Sequence, residues 1–242
     1  IHHQIIILMT FEIAISTMHK TKEQCLEMLK QENIHCNCIV INQCDADEYH
    51  EEIINNQLIR LFFTKERGLS KSRNMALRNM HADIMAIGDD DILYYEGFND
   101  IILKYYETNK NADVVLFNLE DCYKIYPNRN KKCCFLELTG YKSMQITFTK
   151  KMSSINFNEY FGTGSNHVQS GEENIFLADC WRKGANIYYC KEKILKRELK
   201  ESSWFKGYTE RFFKDRGAVY YAISHFYFFL YILRYAIKTR GE

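Results

Sequence analysis

The chain has 242 residues, a net charge of +1 and 46% hydrophobic side chains, so it can bury a full core, and no global field draws it to nucleic acid. None of its nine cysteines has the C-x-x-C spacing of a zinc site, and several sit in apolar runs where a free thiol acts as a small hydrophobe, so a reduced, cytoplasmic compartment is expected. No internal repeat or low-complexity linker interrupts the chain, and the expectation is one mixed domain over residues 1–200 with a helical extension over 201–242.

The chain opens on Ile1 and reads as part of a longer protein. Ile5 to Met9 is too short an apolar run for the core of a signal peptide; it either joins the first strand or forms its own. Ile13 to Thr17 predicts that first strand. Thr21 and Gln24 have capping-box spacing, so a helix is expected to start near Thr21 and carry Cys25, Leu26, Met28 and Leu29. Cys38 to Asn42 predicts a second buried strand, followed by the polar loop Asn42-Gln43-Cys44-Asp45. A short helix is expected over Glu51 to Asn55, then a third strand over Ile59 to Phe63.

Gly68 opens a helix to about Met80, with Leu69, Ala76, Leu77 and Met80 toward the sheet. Lys65, Arg67, Lys71 and Arg73 cluster about its start, either as an anion-binding reinforcement of the helix N-terminus or as a solvated basic face. Ile84 to Gly88 is a continuous apolar run that suits a strand covered on both faces, and it ends in Asp89-Asp90-Asp91. Three adjacent carboxylates repel one another unless a cation sits among them, and hard oxygen ligands select Mg²⁺ or Mn²⁺. A polar turn is the plainer alternative. In open α/β sheets ligands bind beyond the carboxyl ends of the strands, where these residues stand.

A helix over Glu96 to Thr108 and a strand over Val114 to Phe117 follow. Tyr126 to Lys132, with the only proline, Pro127, reads as a loop, and Ser143 to Thr149 as a weakly alternating, antiparallel strand. A loop of small residues, Phe161 to Asn166, precedes Gly171-Glu172-Glu173-Asn174, which leads into a helix whose dipole favours the two carboxylates. Ile187 to Tyr189 predicts a last strand. From Ser202 the chain is aromatic and helical; Ala218 to Leu233 is nearly all apolar, is flanked by Arg234, Lys238 and Arg240, and falls short of a spanning length. It either lies in a membrane interface or packs on the domain.

The alternation of strands and helices predicts a nucleotide-binding α/β half with a parallel sheet. It is not a dinucleotide-binding domain, since no G-x-G-x-x-G follows the first strand and Gly162-x-Gly164 opens no helix after a strand. A metal-dependent phosphatase would place its Asp pair after the first strand, and a nucleotidyl transferase would need an early Gly-rich loop. A non-catalytic sugar-nucleotide-binding or assembly subunit at the membrane is the third alternative; it would have no use for Glu173.

Taken together, Ile15 to Met18, Ile41 to Asp45, Arg67-Gly68-Leu69-Ser70-Lys71-Ser72-Arg73-Asn74-Met75-Ala76-Leu77, Gly88 to Asp91, and Phe161 to Gly164 with Gly171 to Glu173 resemble the family-two glycosyltransferases of GT-A fold. The resemblance is closest to bacterial enzymes of capsule, exopolysaccharide and lipopolysaccharide assembly. It covers roughly residues 11 to 190. It implies inverting transfer of one sugar from a nucleotide-diphosphate donor, such as a UDP-sugar, to the hydroxyl of a saccharide or lipid-linked saccharide. It also implies a Mn²⁺ or Mg²⁺ cofactor and a cytoplasmic enzyme with peripheral membrane contact. Carried over by position, Thr17, Asn42 and Asp45 would border the base, Arg73 would face the nucleotide, and Asp89 and Asp90 would hold the ribose or assist the metal. Asp91 would bind the metal with Asp89, and Glu173 would be the catalytic carboxylate with Glu172 beside it. Gly88 stands where the family's D-x-D-D run has its first Asp. The absence of Q-x-x-R-W points to one sugar per encounter.

Overall fold

The computed structural model describes residues 9–120, 125–197 and 209–238. Ile5 to Leu8, Cys122, Trp204 and Arg240 lie outside the described residues. The first half runs β1 (Phe11–Met18), α1 (Lys22–Gln31), β2 (Asn37–Gln43), β3 (Glu48–Ile54), β4 (Gln57–Thr64), α2 (Leu69–Arg78) and β5 (Ile84–Asp89), as the sequence predicts except at β3. Then come β6 (Ile92–Tyr94), α3 (Phe98–Thr108), β7 (Val114–Glu120), β8 (Lys131–Lys132), β9 (Ile146–Thr149), α4 (Glu172–Arg182), β10 (Ile187–Arg197), α5 (Glu210–Ile223) and α6 (Phe228–Lys238).

The fold is α/β, with one mixed sheet in the order β3-β4-β2-β1-β5-β9-β7-β10-β6 and β8 on β10. Its centre, β4-β2-β1-β5, is parallel. These strands are continuous apolar runs because both faces are covered: Ile13, Ile15, Val40, Ile41, Leu61 and Ile87 are all within 1% of full burial. The carboxyl ends of β1, β2 and β5 therefore share one edge. Beyond β5 the antiparallel β9 joins it to β7, and β7 and β10 are parallel to each other. Of the Ser143 to Thr149 stretch, only Ile146–Thr149 is strand; Ser143–Gln145 is a 3₁₀ turn.

α1 starts where its capping box puts it: the Gln24 amide donates to Thr21 Oγ1 at 3.3 Å, and the Thr21 amide to Gln24 Oε1 at 2.8 Å. The helix expected over Glu51 to Asn55 is instead the edge strand β3, antiparallel to β4. Asn55 and Asn56 hold φ of 51° and 64°, the left-handed pair of a two-residue hairpin turn. Side chains of β3 alternate between exposed and half-buried, a period of two that a helix does not have.

Among the described residues the sheet carries a buried ion pair between Arg60 and Glu12. Arg60 donates to Glu12 Oε2 at 2.5 Å and to the Asn79 carbonyl at 2.7 Å, while Glu12 Oε1 accepts the His81 and Ala82 amides. The eight described cysteines are free, and burial pushes the thiols of Cys25, Cys133 and Cys190 up to about 11, as expected of small core hydrophobes.

A second apolar cluster ties α5 and α6 to α4: Phe161, Val168, Ile175, Ala178, Val219, Tyr220, Ile223 and Tyr231. Phe226, Phe229, Leu233 and Ile237 stay between 59% and 83% exposed, leaving an apolar face on the α6 side uncovered. No helix among the described residues is long and apolar enough to cross a membrane.

Candidate active site

A cavity of about 600 Å³ opens at the edge where β1, β2 and β5 end. Thr17, Arg73, Asp89, Asp90, Asp91, Glu172 and Glu173 all line it. The sequence scatters these residues over more than 150 positions, and the parallel strands with α2 and α4 bring them together.

The acidic end is organised by hydroxyls and cations. Thr17 Oγ1 donates to Asp90 Oδ2 at 2.5 Å, and Lys20 Nζ lies 3.4 Å from the same oxygen. Asp89 accepts from Arg73 Nη2 at 2.9 Å and from Ser143 Oγ at 3.0 Å. Gly88 has a local reason. A Cβ there would lie 3.1 Å from the Tyr94 hydroxyl and 3.2–3.3 Å from Ile13 and Ile15, so the ring of Tyr94 fills the space an Asp would need. Glu32, 6% exposed, lies in the acidic surroundings of this turn with no hydrogen-bond partner on either carboxylate oxygen. Burial, then the charges of Asp90 and Asp91, push it up to about 9, so it is neutral at pH 7.

α2 is the strut of the site, and the polar residues of its GLSKSRNMAL stretch are explained by what they hold. Ser72 Oγ donates to Ser16 Oγ at 2.7 Å, tying α2 to β1. Ser70 Oγ donates to the Phe161 carbonyl at 2.6 Å, and Asn74 exchanges two hydrogen bonds with the Phe157 backbone, fixing the loop that leads to α4. Between them Arg73, 2% exposed, reaches both sides, with Nη1 2.7 Å from Glu172 Oε1 and Nη2 on Asp89. Burial alone would pull its guanidinium pKa down; Asp89, Glu172 and Glu173 outweigh that and hold it raised. Arg73 thus lines the cavity as a clamp between two carboxylates.

Glu172 and Glu173 open α4 after Gly171, whose φ of 86° is left-handed. Their environments differ. Glu172 is buried and ion-paired to Arg73. Glu173 is half-buried, and desolvation together with repulsion from Glu172 pushes it up to about 8, against the pull of Arg73 and Arg216. Two adjacent carboxyls, one ion-paired to Arg73 and one pushed up by burial and its neighbour, are the arrangement from which a proton acceptor is made.

Two expected donor residues stand off the cavity. Asn42, fully buried, exchanges two hydrogen bonds with the Lys20 backbone and so pins the turn after β1. Asp45 is a surface residue, 2.6 Å from Arg67. Arg67 also donates to the carbonyls of Cys44 and Lys65 at 2.8 Å, so it staples its own loop. Residues that sequence reasoning did not single out do line the cavity: Gln43, Lys142, Ser143, Gln169 and Arg216. Of these only Gln43 lies in a quoted motif, the Ile41 to Asp45 stretch. His167 stacks on Tyr160 at 3.9 Å, a loop contact, and Trp181 packs partly buried beside Phe135.

Among the described residues no three His, Cys, Asp or Glu side chains are gathered tightly enough to hold a metal ion. A Mg²⁺-like ion completed by substrate phosphates needs only one or two carboxylates, and the cavity wall offers Asp89 and Asp91. The residues present fit such a shared site.

Residues 16–171 match the family described as Glycosyl transferase family 2. No curated protein matches the chain. Its fold is similar to S. aureus TarS 1-349 in complex with UDP-GlcNAc, with a TM-score of 0.64 at 14% identity over 88% of this chain and 66% of that one. It is also similar to the mannosyltransferase PcManGT from Pyrobaculum calidifontis in complex with GDP-Man and Mn²⁺, with a TM-score of 0.56 at 12% identity over 81% of this chain and 59% of that one. At these identities the likeness is one of fold. The chain spans less than two thirds of either neighbour, and 39% of a longer TarS chain.

Proposed function

Since the chain belongs to glycosyl transferase family 2, we propose that it transfers a single sugar, with inversion, from a UDP-sugar to the hydroxyl of a saccharide or lipid-linked saccharide in bacterial surface-polysaccharide assembly. The observation that carries this reading is the pairing, across one cavity, of the Asp89-Asp90-Asp91 turn with Glu173. The acceptor oxygen attacks the anomeric carbon from the face opposite the diphosphate; the carbon–oxygen bond to the diphosphate breaks, and the hydroxyl proton passes to Glu173. No protein nucleophile is needed for a single displacement. Asp91 and Asp89 would hold Mn²⁺ or Mg²⁺, whose charge offsets that of the departing diphosphate. Thr17 and Lys20 hold Asp90 in place. Glu172 and Arg73 fix the start of α4, so that Glu173 faces the cavity at a constant distance from the acidic turn.

The uncovered apolar residues Phe226, Phe229, Leu233 and Ile237 support peripheral contact with the cytoplasmic face of the membrane, where a lipid-linked acceptor resides. One experiment tests both parts of the reading: the chain is supplied with a panel of nucleotide sugars, Mn²⁺ and anionic liposomes. UDP is expected to accumulate with time from one UDP-sugar, and the chain to float with the vesicles, while a Phe229→Glu, Leu233→Glu form floats much less. Nucleotide-sugar binding without turnover would indicate a binding subunit instead, and equal flotation of both forms, or none of either, would rule out the membrane face.

A further inference from the structure

α5 brings to the cavity a cation that no motif announces. Arg216 lines the same space as Glu173. Its helix rests directly on the segment that presents Glu173: a Cβ on Gly171 would lie 2.5 Å from Val219 Cγ2, so only glycine lets α5 approach this closely. Asp215 Oδ2 accepts the Gln169 amide at 3.2 Å, and Val219, Tyr220 and Ile223 pack with Phe161, Val168 and Ile175. The Arg216 guanidinium carbon lies 5.5 Å from the Phe212 ring and 6.0 Å from that of Tyr220, four residues to either side, so cation–π contacts along the helix hold the charge in place.

Among the described residues, these charged groups face Glu173 or line the same cavity. Glu172 repels it from its own helix. Arg73, from α2, is committed to Glu172 and Asp89. Asp89, Asp90 and Asp91 lie across the cavity, and Lys142 lines it from the segment before β9. Arg216 is the cation that α5 adds on the Glu173 side. We propose that Arg216 is a positioning residue: from the C-terminal helices it favours the charged, proton-accepting form of the Glu173 carboxylate against the repulsion of Glu172. The inference rests on the reading of Glu173 as the base. It makes α5 part of the active site: without Arg216, less of Glu173 would be in the charged form that accepts a proton at neutral pH.

The test reads the Glu173 carboxyl directly, by ¹³C NMR titration of glutamate-labelled protein, with the resonance assigned from Glu173→Gln. Removing a nearby cation raises a carboxyl pKa, so the midpoint in Arg216→Met is expected to rise by about one pH unit, with Arg216→Lys close to the parent. The acidic limb of the transfer-against-pH profile should move with it, costing about tenfold in rate at pH 7. Arg216→Gln serves as the second neutral variant should the Met form unfold. Coincident midpoints in the parent and the neutral variants would overturn the proposal. A raised midpoint in a protein that transfers no sugar would leave the role of Arg216 standing and refute the transferase reading; transfer with an unmoved midpoint would refute Arg216 alone.

Discussion

Glu173→Gln is expected to lower sugar transfer by about 10²–10⁴-fold, the usual contribution of a general base, while affinity for UDP with Mn²⁺ stays near that of the parent. Gln keeps the shape and hydrogen-bonding reach of the side chain but cannot accept the proton. The parent rate should rise with pH toward about 8, because Glu173 must lose its proton to act and burial and Glu172 hold that proton on. The mutant should lose that limb. Glu172→Gln is expected to behave differently. It removes one charge from the buried Arg73 pair and the repulsion that raises Glu173, so it should reduce stability and move the pH limb to lower pH without abolishing it. A Glu173→Gln enzyme that keeps nearly full transfer rules out the role, and loss of the limb only in Glu172→Gln would move the base one residue back.

The second large effect is expected on stability. Arg73→Met strands the buried carboxylate of Glu172 and the partly buried one of Asp89, with side-chain exposures of 7% and 26%. Removing one partner of a buried ion pair costs about 3–5 kcal/mol, a large part of the roughly 5–15 kcal/mol that holds a domain together. Arg73→Lys should recover little, since one ammonium cannot bridge two carboxylates as a planar guanidinium does. Urea unfolding read by circular dichroism measures this. An Arg73→Met protein with an unchanged midpoint would show that the clamp contributes nothing to the fold.

The parallel half of the sheet was legible because continuous β-branched and apolar runs have few other uses, and the acidic turn because three adjacent carboxylates stand out against them. β3 was misread: its charges on both faces resemble a solvated helix, and the deciding signal, the Asn55-Asn56 turn, is only two residues long. Arg73 was legible as a site residue but not as a clamp, because its partners lie 16 and 99 positions away. The resemblance puts Asn42 beside the base; in the fold its amide exchanges hydrogen bonds with the Lys20 backbone, a pairing across 22 positions that no local pattern announces. Arg216 was not legible. Phe212 and Tyr220 at four-residue spacing show that the arginine is flanked by rings, but not that Gly171 lets its helix settle over α4.

The most direct measurement is calorimetry of UDP binding with and without Mn²⁺, in the parent and in Asp91→Asn. If the acidic turn is the metal end of a donor site, the parent binds UDP more tightly with the ion, and Asp91→Asn keeps its melting temperature but loses the metal-dependent part of the affinity. An Asp91→Asn protein that binds UDP–Mn²⁺ as tightly as the parent would contradict it.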